Sequence, residues 1–308
     1  MPASASPDSY SQVVSTLRAA GCVYAEDEAR LLVAAAATPA ELGAMVRRRA
    51  DGQPLEHVVG WAEFCGLRIA VEAGVFVPRR RTEFLVRQAA GLVRHGAGQP
   101  AASPGSGAGP VVVDLCCGSG ALGVALATAA GPVQLHAADI DPAAVRCARR
   151  NMAVAGGRVY QGDLYDPLPS GLRGAVTILL ANVPYVPTEE VGLLPAEARD
   201  HEARVALDGG PDGLDVLRRV TAAAPRWLAP GGHLLFETSD RQVAGAAVAA
   251  AEAGLIPRVV RCDKLAATVV IAARPGDDSP AGGNPVGARG VLAPGVGAGP
   301  GTRHGSLA

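Results

Sequence analysis

The sequence predicts an α/β protein in which a seven-stranded mixed sheet alternates with helices and a small helical unit comes first. Three observations carry this. Between Val111 and Ala273 apolar strand-like runs alternate with helical stretches, the pattern of parallel βαβ units. The last two runs are joined only by Cys262 to Leu265, too short a link for anything but an antiparallel pair. Residues before position 50 have helical spacing and little strand character.

The elements follow in order. From about residue 8 to 50, Val13, Val14 and Leu17, then Ala29, Leu31 and Leu32, recur among charges as a helix face requires. From Pro54 to Val77 the pattern turns β-like, with runs Phe64 to Val71 and Gly74 to Val77 and a turn expected at Glu72-Ala73-Gly74, so a hairpin joins the two parts. Thr82 is positioned to cap a helix from Glu83 to about His95. Gly96 to Pro110 reads as a flexible loop. Strands are expected at Val111 to Leu115, Val133 to Asp139, Arg158 to Gln161, Ala175 to Ala181, His233 to Glu237, Pro257 to Arg261 and Ala266 to Ala273. Helices are expected from Ala121 to Ala130, Pro142 to Val154, Gly213 to Leu228 and Gln242 to Ala253. The Gly/Pro-rich tail cannot offset its ordering entropy and is expected to be disordered. The resulting division is 1–53 helical, 54–82 hairpin linker, 83–274 α/β domain, 275–308 tail.

Composition narrows the functions. The 308 residues are 49% hydrophobic and carry a net charge of −1, which excludes a global basic field for long nucleic acid. No run of about 18 apolar residues suggests a membrane span, and the polar start is unlike a signal peptide. The six cysteines have neither Cys-x-x-Cys nor metal-ligand spacing, so they read as buried thiols of a reducing compartment, the cytoplasm, and no metal is expected.

Two segments carry chemistry. In Asp114-Leu115-Cys116-Cys117-Gly118-Ser119-Gly120 an apolar strand runs into small residues and then a helix, which lets backbone N–H groups approach a ligand at the carboxyl edge of a sheet. Asp139 ends the next strand about 20 residues later, placed to accept ribose hydroxyls; Asp141, before Pro142, is the better helix cap. Asp163, with Leu164, follows the third strand and is placed to meet an adenine amino group. There is neither Gly-x-Gly-x-x-Gly for nicotinamide nor Gly-Lys-Ser/Thr for phosphates. S-adenosylmethionine, with ribose and adenine but no phosphate, fits better.

The second segment is Asn182-Val183-Pro184-Tyr185, ending a buried run. A carboxamide nitrogen is a poor nucleophile, and two acceptors gripping its N–H bonds would orient it. The Asn182 side-chain oxygen and the Val183 carbonyl are the candidates, with Pro184 fixing the turn and Tyr185 forming an apolar wall.

In this order the motifs resemble the class I S-adenosylmethionine-dependent methyltransferases, which have a Rossmann-like fold. They resemble specifically the family that methylates a glutamine side chain in peptide chain release factors. The resemblance covers about residues 10 to 273. It includes Gly60, Phe64, Gly66-Leu67, Phe76 to Arg79, Thr82-Glu83, Asn151, Ala206 to Gly210, Asp212 to Leu214 and Glu237. It implies methyl transfer to glutamine N5, a helical unit that contacts the protein substrate, and a Gly-Gln-bearing loop entering the pocket. This chain departs from the family at Val183, Cys116, Cys117, Leu164 (with Tyr165 a possible substitute for the aromatic usual there), Arg80, Arg81 and Thr238-Ser239. A monomer without direct nucleic-acid contact is expected. Two alternatives stand: N6-adenine methylation of DNA or RNA, whose enzymes carry a similar turn and for which Arg47 to Arg49 and Arg79 to Arg81 are the only basic clusters; and a non-catalytic cofactor-binding scaffold.

Overall fold

A computed structural model describes residues 7–96 and 109–276. The loop expected from Gly96 to Pro110 and the tail expected from Pro275 lie, apart from their flanking residues, outside the described residues. Four helices come first: α1 (Pro7–Ala19), α2 (Ala25–Ala35), α3 (Pro39–Ala50) and α4 (Leu55–Val59). Val13, Leu17, Ala29, Leu32, Val46 and Val58 form their common core. The segment after Pro54 is thus helical, not β-like, because Pro54 sits at its N-cap and Gly60 at φ 83° ends it. Arg49 of α3 is buried against Glu28 of α2, with Nε and Nη2 donating to the two carboxylate oxygens at 2.6 and 3.1 Å.

The hairpin is β1 (Trp61–Phe64) and β2 (Leu67–Ala70), paired antiparallel. Its turn is Cys65-Gly66, not Glu72-Ala73-Gly74. Both turn residues have positive φ, 51° and 74°, as a two-residue primed turn demands. Glycine meets that demand freely and cysteine does not, which is why the sequence hid it. Thr82 also differs from expectation: it closes a short 3₁₀ turn, Arg80–Thr82, and its buried hydroxyl caps nothing. Helix α5 (Glu83–Arg94) then packs on α6 (Ala121–Ala130).

The sheet has seven strands: β3 (Val111–Leu115), β4 (Gln134–Asp139), β5 (Arg158–Gln161), β6 (Val176–Ala181), β7 (Leu228–Thr238), β8 (Ile256–Cys262) and β9 (Ala267–Ala273). Their order is β5-β4-β3-β6-β7-β9-β8, with only the pairings of β9 antiparallel. This is the Rossmann-like fold of class I methyltransferases. Helix α7 (Pro142–Met152) joins α5 and α6 on one face, while α9 (Asp215–Ala223) and α10 (Val243–Glu252) cover the other; α8 (Ala196–His201) stands apart in the segment after β6. All six β6 residues are buried, as expected where helices cover both faces. Full burial of Ile178, Leu179 and Leu180 contributes about 2 kcal/mol each. No helix among the described residues is long and apolar enough to cross a membrane.

The chain builds β3, β4 and β5 outward on one side, then returns to lay β6 and β7 on the other. That reversal leaves a crevice at the carboxyl ends of β3 and β6, where open α/β sheets bind ligands.

Candidate active site

Strand register assembles the site. Leu115 pairs with Ala138 on one side and Ala181 on the other, and Ala181 pairs with Phe236. The next residue of each strand or turn is therefore Cys116, Asp139, Asn182 or Glu237, four polar positions abreast along one sheet edge. A cavity of about 500 Å³ is lined by the first three, Cys116, Asp139 and Asn182.

The loop after β3 forms the floor. Cys116 and Gly118 have φ of 53°, so the chain doubles back. Gly118 N donates to Asp139 Oδ2 at 2.8 Å, and Asp141 N donates to Asp139 Oδ1 at 2.9 Å. Each Asp139 oxygen keeps lone-pair capacity toward the cavity, which suits a vicinal diol. Burial holds the Asp139 carboxyl above its usual range, opposed by these backbone donors. Asp141 caps α7, accepting from Ala143 N at 2.8 Å. Cys116, Cys117, Gly118, Ser119, Asp139, Asp163, Leu164 and Asn182 all line the cavity. Burial pushes both thiols well up, so neither is a thiolate nucleophile at neutral pH.

Three expected contacts fall elsewhere. Asp114 lies behind the loop, 1% exposed, with Oδ2 accepting from Gly123 N of α6 at 3.0 Å; one residue short of the strand end, it faces α6 rather than the crevice. Gly120 starts α6 and packs on Met152 instead of the cavity. Tyr165 is no substitute for an aromatic over adenine: it stacks on Trp227 and donates to Val220 O at 2.8 Å inside the core. Asp163 lines the cavity, but one of its oxygens is held by Arg219 at 2.5 Å. The sequence reading passed over Ile140, an apolar residue 51% exposed on the cavity wall directly after Asp139; that unusual exposure makes it a flat apolar surface for a planar base.

Asn182, Val183, Pro184 and Tyr185 line the opposite wall. Asn182 Oδ1 is buried and accepts no hydrogen bond, and the Val183 carbonyl accepts none among the described residues. A buried unpaired acceptor is costly, so Asn182 Oδ1, next to a main-chain carbonyl that accepts nothing, marks a place built for a donor. The turn around them is braced. Gln242 Nε2 donates to Tyr185 O at 2.8 Å, Val186 N to Leu207 O at 3.0 Å, and Gly209 N to Val186 O at 2.8 Å. Asn151 of α7 ties the floor to the hairpin, with Nδ2 donating to Ser119 O and to Ala70 O, both at 2.8 Å.

The outer wall comes from two segments distant in sequence, Phe76 to Arg81 and Leu194 to Leu207. They are zipped together: Ala203 N donates to Gly74 O, and buried Glu202 accepts from Val77 N at 3.1 Å and Arg79 Nη2 at 2.6 Å. Arg49 Nη1 reaches Glu197 at 2.7 Å and ties this wall to the helical unit. The basic clusters are therefore largely engaged: Arg49 with Glu28 and Glu197, Arg79 with Glu202, Arg81 with Glu237, and Arg48 with Gln53 and the His57 carbonyl. Among the described residues no group of three or more His, Cys, Asp or Glu is placed to hold a metal ion.

The cavity residues fit S-adenosylmethionine. Asp139 offers acceptors to a sugar diol, Ile140 and Leu164 offer apolar surface to a base, and the three arginines on the wall, Arg79, Arg81 and Arg219, are each paired with a carboxylate.

Comparison with known proteins gives concordant results. Residues 105–210 match the Methyltransferase small domain family. A release factor glutamine methyltransferase of Geobacter sulfurreducens is 38% identical over 204 residues, 65% of this chain and 66% of that protein. One of Mycolicibacterium smegmatis is 38% identical over 221 residues, 70% of this chain and 73% of that protein. The 4-amino-L-phenylalanine/4-methylamino-L-phenylalanine methyltransferase of Streptomyces pristinaespiralis is also 38% identical, over 205 residues and 65% of each chain.

Proposed function

We propose that this chain, which belongs to the release factor glutamine methyltransferase family, methylates the side-chain amide nitrogen of a glutamine in the Gly-Gln-Gln loop of a peptide chain release factor. S-adenosylmethionine, bound at Asp139 and the Cys116 to Ser119 loop, supplies the methyl group as a sulfonium that needs no further activation. The protein's task is then alignment and water exclusion.

The buried, unpartnered Asn182 Oδ1 carries the reading. It accepts one N–H of the glutamine carboxamide, and the Val183 carbonyl accepts the other. The nitrogen would thereby be oriented by both of its N–H bonds; as an N–CH3 bond forms and the sulfonium S–CH3 bond breaks, leaving the thioether, positive charge developing on nitrogen would meet two carbonyl dipoles until one N–H proton is lost to solvent. The family's first proline is replaced by Val183, but a backbone carbonyl does this work whatever the side chain. Pro184 and the Gln242 brace keep the two acceptors in place, and Tyr185 closes the apolar wall. Zipping of Glu202 and Ala203 onto the Gly74 to Arg79 segment shields the site from water.

We read the chain as a cytoplasmic monomer acting on protein, without direct nucleic-acid contact; engagement of its arginines by carboxylates supports that over the adenine alternative. The relative from S. pristinaespiralis favours one second acceptor class, an aromatic amine of amino-acid size.

The test is transfer of labelled methyl to a purified release factor, with 4-amino-L-phenylalanine in a parallel reaction. Asn182→Ala is expected to lower the rate to release factor about 100-fold, the scale for losing one preorganised group at a reacting centre, while the cofactor still binds. Full transfer by the variant would sink the assignment, and label only on the small amine would replace the acceptor.

A further inference from the structure

Arg81 stands where the sequence departs from its family, and its side chain is engaged inside the candidate site. Nε donates to Glu237 Oε1 at 2.7 Å, Nη2 donates to the Tyr185 hydroxyl, and the guanidinium carbon lies 5.9 Å from the Tyr185 ring centroid. The Tyr185 hydroxyl donates to the same Glu237 oxygen at 3.3 Å. Three elements thus meet in one closed triangle: the connector before α5, the turn after β6 and the end of β7. The Arg81 side chain is itself 46% exposed at the cavity rim, while its neighbour Arg80, also exposed, has no such partner among the described residues.

The triangle has physical consequences for the acceptor wall. Glu237 is 4% exposed and its Oε2 has no partner, so Arg81 is the cation that makes its charge tolerable there. Gln242 holds the Tyr185 main chain, but among the described residues the phenol end is held only by Arg81 and Glu237. Burial first, then Glu237, pushes the Tyr185 hydroxyl up to about 12, so the ring stays a neutral donor at working pH.

We propose that Arg81 is a positioning residue for the methyl acceptor: by neutralising Glu237 and holding the Tyr185 hydroxyl, it fixes the ring that walls the acceptor nitrogen. The consequence for catalysis rests on the methyl-transfer reading above; the clamp on Tyr185 does not. A planar, always-charged fork suits the role, since one guanidinium meets two oxygens at once and an ammonium cannot do so in the same plane.

The experiment compares wild type, Arg81→Gln, Arg81→Lys, Arg80→Ala and the double variant Arg81→Gln with Glu237→Gln, which removes both charges should the single variant fold poorly. Steady-state methyl transfer to release factor, calorimetric cofactor affinity and NMR of ring-labelled tyrosine, assigned with Tyr185→Phe, are read together. Arg81→Gln and the double variant are expected to lose about tenfold or more in kcat/KM for the acceptor, the scale of a misplaced wall, with cofactor Kd within about twofold of wild type. Added guanidinium ion is expected to restore part of the rate to Arg81→Gln, Arg81→Lys to fall between, and Arg80→Ala to match wild type. The Tyr185 resonance is expected to broaden or split in Arg81→Gln. Wild-type kinetics and an unchanged Tyr185 resonance in Arg81→Gln would overturn the proposal. If wild type transfers no methyl to release factor, the acceptor reading falls, and the Tyr185 resonance still decides the clamp.

Discussion

Gly213 is the position where one added methyl group most directly tests how the reacting turn is held. Its φ is 76°, and a Cβ built there would lie 2.3 Å from Tyr185 O and 2.2 Å from Gln242 Nε2. Gly213→Ala therefore has three costs. A left-handed alanine costs about 1 kcal/mol. Loss of the Gln242 to Tyr185 hydrogen bond costs about 1 kcal/mol. Forcing the backbone apart costs about 2 kcal/mol more, as overpacking does. The sum is about 4 kcal/mol, which for a chain of this size lowers Tm by roughly 10 °C. Gly174→Ala is the control, because its φ is 72° with nothing within 4 Å of the built Cβ, so it incurs only the first cost. Denaturant midpoints give the stabilities, and methyl transfer at a temperature where both variants are folded gives the activity. Gly213→Ala is expected to bind cofactor, whose proposed contacts follow β3, β4 and β5, yet turn over poorly. A stability loss equal to that of Gly174→Ala, with full turnover, would refute the bracing argument.

Further predictions concern the carboxylates. Asp139→Asn is expected to weaken cofactor binding about 10- to 100-fold, the range for hydrogen bonds to a charged acceptor, measurable by calorimetry; unchanged affinity would remove Asp139 from the cofactor site. Burial pushes Asp114 up to about 8, against about 4 in an unfolded chain. Folding thus favours its protonated form: that contribution is fully present below about pH 4 and is lost as pH rises through 8. Wild type is expected to lose about 3 kcal/mol relative to Asp114→Asn between pH 5 and pH 8, read from denaturant midpoints; parallel profiles would show that Asp114 is not the titrating group.

Much of this was legible in the sequence because strand ends are legible. The apolar runs ending in Leu115, Asp139 and Ala181 fixed where polar residues leave the sheet, and parallel pairing brought those ends level. What escaped depends on facing and on distant contact. Asp114 and Cys116 are two residues apart in one segment, yet the first points beneath α6 and the second into the cavity, because the chain turns at positive φ between strand and loop. The hairpin turn at Cys65-Gly66 was hidden by a cysteine in a conformation it seldom adopts. The wall from Leu194 to Ala203 has no motif; only its pairing to Gly74 and Val77 makes it part of the site. Arg81 read as a departure from the family pattern, and its partners Tyr185 and Glu237 are over a hundred residues away.

The most direct test of the central claim is tandem mass spectrometry of release factor incubated with the protein and S-adenosylmethionine. The account predicts one added methyl on the side chain of a glutamine in the Gly-Gln-Gln loop, accumulating about 100-fold more slowly with Asn182→Ala and absent when that glutamine is alanine. An unmodified loop, from protein that demonstrably binds the cofactor, would contradict it.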